Sequence, residues 1–300
     1  DIISLYKKYN LKIDDRIVLT AKKMIKWINF ISHSDNSLPF FGDTCYKIAR
    51  SVEDINYYGK KILSINLEKN NKIINQVDAA GYYVLKNHNN SFIANVGHII
   101  SKEQPGHSHA DLLSFELNLY KNKVFVNSGI STYEKSNLRH FQRSTVSKNT
   151  LTLNDKNSQD VWASFRVGKK TRIESLKINK SRDNKFSSSI EASHCGFGSF
   201  FSKNLHKRKW IISENSLHII DSFTGKHDEA KSRIYLHPSI KCFKNYLIMK
   251  NNKIIKFEFI DCNLNVIQSR WAYSFNILYE NQCMEFTANK NVFEIKFIWD

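Results

Sequence analysis

The sequence predicts a mainly β protein, a large antiparallel β-sandwich preceded by a short helical segment. Two observations carry this. Apolar residues recur at helical spacing over roughly the first seventy residues. After about residue 78 the period changes to two, and polar turns interrupt many short runs. The division is therefore 1–75 for the helical segment and 76–300 for the sandwich.

In the helical segment, Val18, Ala21, Ile25, Ile28 and Ile31 share one face of a helix over Asp15–His33, and Asp14-Asp15 offers a cap. Ser37-Leu38-Pro39-Phe40-Phe41-Gly42-Asp43 is a loop, broken by Pro and Gly. Asp43 or Thr44 then caps a second predicted helix through Ala49, Val52 and Ile55. Two helices cannot bury their own apolar faces, so they need further helices or the face of a sheet.

The predicted strands are Gly81–Lys86, Phe92–His98, Leu112–Tyr120, Val124–Asn127, Thr150–Leu153, Arg172–Asn179, Ser187–Ala192 and Lys209–Ser213. They continue with Leu217–Asp221, Arg233–Leu236, Leu247–Met249, Ile254–Phe259, Ser274–Tyr279, Met284–Thr287 and Phe293–Trp299. Turns such as Lys121-Asn122-Lys123 and Asn289-Lys290-Asn291 separate them. Short strands with turns at this spacing make an antiparallel sandwich.

Composition narrows the function. The 300 residues are 41% hydrophobic with 10 Gly and 3 Pro, which excludes fibrous and low-complexity material. The net charge of +17 comes mostly from lysines dispersed among asparagines. A nucleic-acid binder would cluster Arg and Lys on one element with stacking aromatics between, and no such block occurs. A polyanionic sugar fits a positive cleft better. Genome composition alone also accounts for much of the lysine and asparagine excess. The five cysteines form no CxxC pair, which is neither a zinc ribbon nor a disulfide scaffold. No apolar run of about eighteen residues exists, so no membrane span is expected. The chain opens on Asp1 without a methionine or signal peptide, and so reads as a piece of something longer or a matured product.

The densest chemistry is Gly106-His107-Ser108-His109-Ala110-Asp111. If extended, the chain points His107, His109 and Asp111 to one face. That suits a metal half-site, a proton-transfer imidazole beside an orienting group, or a buried polar cluster tying a loop to the sheet. A second cluster runs from Arg139 through Arg143 and Lys148 to Thr150. Its cations suit a clamp on carboxylates or sulfates, with Arg bidentate, or a solvated basic loop. In Gln159–Gly168, Trp162 and Phe165 suit sugar stacking, although core packing is the commoner use of such residues. His237 reads as structural, whereas His206 and Arg208 share a strand face and read as more site-like. No GxGxxG, phosphate loop or GxSxG elbow is present, so nucleotide binding and serine hydrolysis have little support.

Several ordered segments over roughly residues 15–240 resemble the heparinase II/III-like family of polysaccharide lyases. Gly81-Tyr82-Tyr83-Val84-Leu85 is similar to the opening of that family's sandwich. Pro105 to Phe115 resembles its most specific signature. Asn127-Ser128-Gly129 with Thr132-Tyr133 resembles its "DxGTY" strand, and Arg143-Ser144-Thr145 with Asn149-Thr150 its "RST..HNT" loop. Gln159 to Arg166 is similar to forms found near bacterial surface-polysaccharide genes.

The resemblance implies that the helices are the end of an (α/α) toroid, with a cleft between toroid and sandwich. It implies β-elimination on an acidic, uronate-containing polysaccharide. His107 matches the sandwich-side catalytic histidine, and His109 a ligand of the zinc found in some members. Arg139, Arg143 and Lys148 would supply positive charge, Tyr133 and Trp162 would contact sugar, and Asp43 would reach the cleft from its loop. The family's other metal ligands fall at Asn127 and Lys148. An amide is a weaker ligand than a carboxylate and an ammonium is none, so no zinc is expected, with the Lys148 charge in its place. The tyrosine base and carboxylate-neutralising asparagine usually lie on earlier helices, so this piece alone is expected to be inactive. A periplasmic or extracellular location follows by the same resemblance. The alternative is a non-catalytic carbohydrate-binding or assembly protein of bacterial surface-polysaccharide metabolism. A basic nucleic-acid-binding sandwich is the third reading, and the dispersed lysines disfavour it.

Overall fold

The computed structural model describes residues 1–65, 73–97, 104–181, 185–198 and 203–300. Three helices come first: α1 (Ile2–Lys8), α2 (Asp15–Ile31) and α3 (Val52–Leu63). Asp14 caps α2 by accepting from the Arg16 N–H. Helix α3 opens at Ser51, whose side chain and that of Asp54 form a reciprocal capping box. This corrects the expected cap at Asp43 or Thr44. Those residues lie in an irregular loop, and Asp43 has another task. Val18, Ala21 and Ile25 of α2 pack with Ile55, Ile62 and Leu63 of α3.

The strands follow in chain order. They are β1 (Ile74–Val77), β2 (Tyr82–Lys86), β3 (Ser91–Asn95), β4 (Phe115–Leu119) and β5 (Asn122–Phe125). After helix α4 (Asn137–Arg143) come β6 (Leu151–Leu153), β7 (Val161–Trp162), β8 (Arg166–Val167), β9 (Ile173–Lys180) and β10 (Ser188–His194). Then come β11 (His206–Ser213), β12 (Ser216–Phe223), β13 (Ala230–Tyr235), β14 (Lys241–Cys242) and β15 (Tyr246–Ile248). The last are β16 (Ile254–Ile260), β17 (Cys262–Ser274), β18 (Ile277–Ala288) and β19 (Val292–Trp299).

One layer is an eight-stranded sheet ordered β14-β15-β16-β19-β12-β11-β10-β9. The other combines the sheet β1-β2-β3-β4-β5 with the sheet β17-β18-β13-β6. A bridge between Phe125 and Leu236 joins these two. All the named strand pairs are antiparallel. The shared core holds Phe92, Phe115, Phe125, Trp210, Phe286, Phe297 and Trp299. Each such side chain stabilises the fold by roughly 1.5–3 kcal/mol through burial.

The five-stranded sheet is covered on both faces. Phe92 and Ala94 of β3 face the sandwich core. Ile93 instead meets Ile31 at the end of α2 and Phe41 in the loop beyond it. That explains why β3 is buried throughout and reads as a continuous apolar run. Lys86 secures the helix to this sheet. Its ammonium donates to the carbonyls of Asn29, Phe30 and Ser32 at 2.7, 3.1 and 2.6 Å, filling acceptors that the last turn of α2 cannot satisfy itself.

Two strand expectations change. Ser274–Tyr279 is not a strand but the turn between β17 and β18 with the start of β18. Its aromatic Phe275 packs on Tyr133 instead, with ring centroids 4.8 Å apart. Strand β17 went unread because most of its residues are exposed or half-buried, so no apolar alternation marks it. Part of the expected strand Phe92–His98, His98 itself, lies outside the described residues. Among the described residues no helix is long and apolar enough to cross a membrane.

Candidate functional site at the loop 40–43 and the 105–111 turn

The segment 105–111 is not an extended strand. Pro105–His107 is a 3-10 turn, and the chain after it is irregular until β4. The three side chains therefore do not share one face. His107 is 59% exposed, whereas His109 and Asp111 are buried. Both imidazoles nevertheless converge on one group, the carboxylate of Asp43. His107 Nδ1 lies 2.9 Å from Oδ2, and His109 Nε2 lies 2.8 Å from Oδ1. Arg139 on α4 binds the same carboxylate with both terminal nitrogens, Nη2 at 2.8 Å from Oδ2.

Two other carboxylates put Asp43 there. Glu116 on β4 accepts from the backbone N–H of Phe40 at 3.0 Å and of Asn127 at 2.9 Å. Its second oxygen lies 3.1 Å from His33 Nε2. Asp111 accepts from the Gly42 N–H at 3.3 Å and from the Asn95 amide at 3.0 Å. Gly42 adopts φ +54°, and a Cβ there would sit 2.9 Å from the His107 carbonyl. That carbonyl accepts the Asp43 N–H at 3.1 Å. Glycine is required by both the backbone angle and the close approach.

The electrostatics follow from burial. Desolvation pushes the Asp43 carboxyl upward, but hydrogen bonds from His109 and Arg139 outweigh it and hold the group well below the usual carboxylate range. Burial, with the charge of Lys148, lowers His109 to about 3 despite Asp43, so its ring is neutral. A neutral His109 donates through Nε2, and its buried Nδ1 has no hydrogen-bond partner. His107 Nδ1 is engaged by Asp43, while Nε2 has no partner among the described residues.

The predicted cations are placed differently from the expectation. Arg143 is buried, and its guanidinium donates to the carbonyls of Gly106, Ser108, Trp162 and Ala163 at 3.0–3.3 Å. It staples the 105–111 turn to the β7–β8 hairpin. Lys148 is also buried, with Nζ 2.9 Å from the Gln142 carbonyl. Burial lowers it to about 8, against the pull of Asp111 and Asp43. Neither reaches the surface, which corrects their expected direct contact with substrate. Arg139 is equally buried, and Asp43 and the Ser164 carbonyl occupy its guanidinium.

The aromatic residues are also redistributed. Phe165, 42% exposed, sits edge-on to the His107 ring at 5.7 Å, and Tyr133 lies 6.0 Å from it. The Arg139 guanidinium lies 5.1 Å from the Tyr133 centroid and 5.3 Å from that of Phe165. Trp162 is half exposed on β7 rather than in the core. His206 and Arg208 do share a strand face, as expected, but it points inward, where both pair with Asp221. The site-like reading of that pair is thus replaced by an internal one. His237 bonds Ser239 at 2.8 Å. The central residue of the cluster, Asp43, was read as a helix cap or a substrate contact. Only the Gly-Asp step in an otherwise apolar loop marked it.

Some members of the family that the sequence resembles hold a zinc ion, and the donors at the matching positions here do not fit one. His109 Nδ1 keeps a free lone pair. Asn127 spends Oδ1 on the Asn149 N–H at 3.0 Å and leaves only Nδ2 unpartnered. The Lys148 ammonium has no lone pair to give. Among the described residues no group of three His, Cys, Asp or Glu side chains is arranged to hold a metal.

A two-layer antiparallel sandwich, helices packed on one sheet, and an exposed imidazole held by a buried carboxylate define the architecture. Residues 69–289 match the heparinase II/III-like C-terminal domain family. The chain belongs to that heparinase II/III-like family, which is one of polysaccharide lyases. Among solved structures it is similar to a heparan sulfate lyase from Pedobacter heparinus, at 16% identity and a TM-score of 0.70, over 99% of this chain and 49% of that one. It is also similar to a heparinase III, at 18% identity and a TM-score of 0.71, over 96% of this chain and 49% of that one. The chain thus spans about half the length of these structures, and at such identities the likeness is one of fold. Among curated proteins none matches.

Proposed function

We propose that this chain is the C-terminal part of a lyase that cleaves an acidic, uronate-containing glycan by β-elimination, with His107 moving the proton. The observation that carries this reading is an exposed imidazole whose Nδ1 is fixed by a buried, ionised carboxylate. Because Nδ1–H donates to Asp43, the neutral ring presents its Nε2 lone pair outward, as a general base must. The protonated ring is a general acid. Histidine suits either step near neutral pH.

β-Elimination needs more than a base. The proton beside a uronate carboxylate becomes acidic only if positive charge or hydrogen-bond donors offset the carboxylate. Arg139, Arg143 and Lys148 supply such charge from beneath the surface, against Asp43 and Asp111. They act as a field rather than as contacts. Tyr133 and Phe165 offer ring faces to sugars beside the histidine, and Trp162 adds a half-exposed ring on β7. The remaining groups would come from the half of the relatives' length that this chain does not span. Leu19, Met24 and Tyr57, exposed on α2 and α3, support reading these helices as part of a larger helical layer, the end of a toroid. We further infer that the site works without zinc, and that the protein acts in the periplasm or outside the cell, where such glycans lie.

The test uses the full-length parent with heparan sulfate, alginate, hyaluronan and capsular glycans, following ultraviolet absorbance of the unsaturated product. Cleavage that His107→Ala abolishes supports the reading. The unfit metal donors and buried cations favour a second reading, a non-catalytic glycan-binding or assembly protein. Glycan binding without cleavage of any of these polymers would establish that one instead.

A further inference from the structure

A pocket of about 520 Å³ opens beside β5 and β17. No residue of its wall belongs to the His107 cluster. Two buried donors line it: the ammonium of Lys123, which meets the Tyr46 side chain and keeps further N–H groups to donate, and the indole N–H of Trp271, which has no hydrogen-bond partner. They come from different strands and are 8% and 3% exposed. A buried donor without an acceptor is uncommon in a folded protein, and an anion would satisfy both at once.

The rest of the wall adds ring faces and charge. Trp271 and Tyr279 are stacked, with centroids 6.4 Å apart, and Tyr279 is half exposed. Tyr273 lies 5.6 Å from Tyr279. Lys121 and Lys250, both exposed, stand at the rim. Asp35 is the one acid among the described residues of the wall, and its Oδ1 already accepts from the N–H and hydroxyl of Ser37 at 3.1 and 2.6 Å. Three lysines thus line the pocket with one engaged carboxylate.

We infer that this pocket binds an acidic pyranose unit, its carboxylate or sulfate on Lys123 and Trp271 and its ring on Tyr279. Aromatic faces take the C–H face of a sugar, and paired cationic and neutral donors take the anion. The desolvation of Lys123 opposes its charge, but Tyr46, Asp35 and Glu116 outweigh it and keep the ammonium protonated. This inference does not depend on the lyase reading, because a binding pocket of this kind serves a catalytic or a non-catalytic protein alike.

The experiment labels the full chain with fluorotryptophan and assigns the Trp271 fluorine signal through Trp271→Phe. The probes are a hyaluronan tetrasaccharide, a chondroitin sulfate tetrasaccharide, neutral cellotetraose and inorganic sulfate. The acidic tetrasaccharides are expected to shift the Trp271 signal, and cellotetraose is not. Tyr279→Ala and Lys123→Met should each weaken that response about tenfold, a usual scale for a central contact. Lys250→Gln, at an exposed position, covers the case in which Lys123→Met does not fold and should weaken the response severalfold. Lys177→Gln on β9 should leave it unchanged. The proposal is overturned if the Trp271 signal ignores the acidic sugars. It also fails if inorganic sulfate shifts the signal as strongly at the same concentration, or if Lys177→Gln weakens the response as much as Tyr279→Ala.

Discussion

Asp43 and His107 are 64 residues apart in sequence, yet their side chains meet at 2.9 Å and their backbones at 3.1 Å, where the Asp43 N–H donates to the His107 carbonyl. The double contact locks the loop after α2 to the turn before β4. It sets both the tautomer and the direction of an exposed imidazole. A carboxylate in that position keeps Nδ1 protonated and leaves Nε2 facing outward.

Asp43→Asn therefore removes more than one hydrogen bond. It leaves the buried Arg139 guanidinium uncompensated, and breaking one partner of a buried pair costs about 3–5 kcal/mol. Desolvation raises the Asp43 carboxyl, but His109 and Arg139 outweigh it, so its folded pKa is depressed. Its stabilisation is then complete above the unfolded value of about 3.9 and is lost as pH falls through the lower folded value. Denaturant melts should show a wild-type advantage that is flat above about pH 5 and shrinks on acidification. An advantage that persists unchanged at the lowest accessible pH would contradict this.

Gly42→Ala tests the same junction through the backbone. The left-handed φ of +54° and the 2.9 Å approach to the His107 carbonyl both oppose a methyl group. The expected loss is about 1–3 kcal/mol. On the proposed lyase reading, activity should also fall, while the sandwich remains intact by near-ultraviolet dichroism. Unchanged stability and activity would show that the loop adapts.

These residues also show how much could be read before the structure. The sandwich was legible because its strands bury one face and alternate, as the inward His206, Arg208, Trp210 and Ile212 of β11 do. Strand β17 was not, because few of its side chains are buried. His107 and His109 stood out as residue types, but their meeting point did not. Asp43 lies far off in sequence, and its loop is drawn over the sheet by the buried acceptors Glu116 and Asp111 together with Phe41 packing on Ile93. Arg143 and Lys148 were legible as charges and not as buried ones. Their partners are backbone carbonyls, which no side-chain pattern reveals.

Two lysines, half-buried Lys86 and buried Lys148, each add a rising component to the alkaline stability of the fold, opposed by Cys45, Cys262 and Cys283, whose burial raises their thiols. Burial lowers Lys86 and Lys148 to about 8 each. Below that value both are charged in the folded chain. Between it and the unfolded value of about 10.4, the unfolded chain binds more protons, so stability rises with pH. The gain is at most about 3 kcal/mol for each. In melts between pH 7 and about 10 the wild type should gain stability relative to Lys148→Met as pH rises. A difference between the two that does not change with pH would show that Lys148 does not titrate in this window.

The metal reading can be reversed by substitution. Asn127→Asp with Lys148→His replaces the amide with a carboxylate and the ammonium with an imidazole, beside the free Nδ1 of His109. That supplies three donors that suit zinc. The wild-type protein should carry substoichiometric zinc by elemental analysis after dialysis. The double variant should retain close to one equivalent, with a melting temperature that chelator lowers. Stoichiometric zinc in the wild type would refute the expected zinc-free site.

The last prediction concerns what holds the two layers in register around the site. Arg208 on β11 binds Asp221 through Nε at 2.7 Å and Nη2 at 2.6 Å. It crosses to the opposing layer to donate to the carbonyls of Leu113 at 3.1 Å and Asn149 at 2.8 Å. Those two carbonyls flank the 105–111 turn and the 145–149 segment. The cation thus ties the floor of the His107 site to the far sheet. Asp221→Asn leaves the guanidinium buried and unpaired, with an expected loss of about 3–5 kcal/mol. Removing both charges, as Arg208→Met with Asp221→Leu, should recover part of that loss, because apolar replacements avoid the desolvation of the pair while buried His206 still loses Asp221 as its acceptor. It should not restore the rigidity of the turn, since the Leu113 and Asn149 carbonyls then have no donor. Hydrogen exchange of the 105–115 amides should be faster in the double variant than in the wild type at matched global stability. Equal exchange would mean that the turn is held by its own contacts, with Arg143 and Asp43 sufficient.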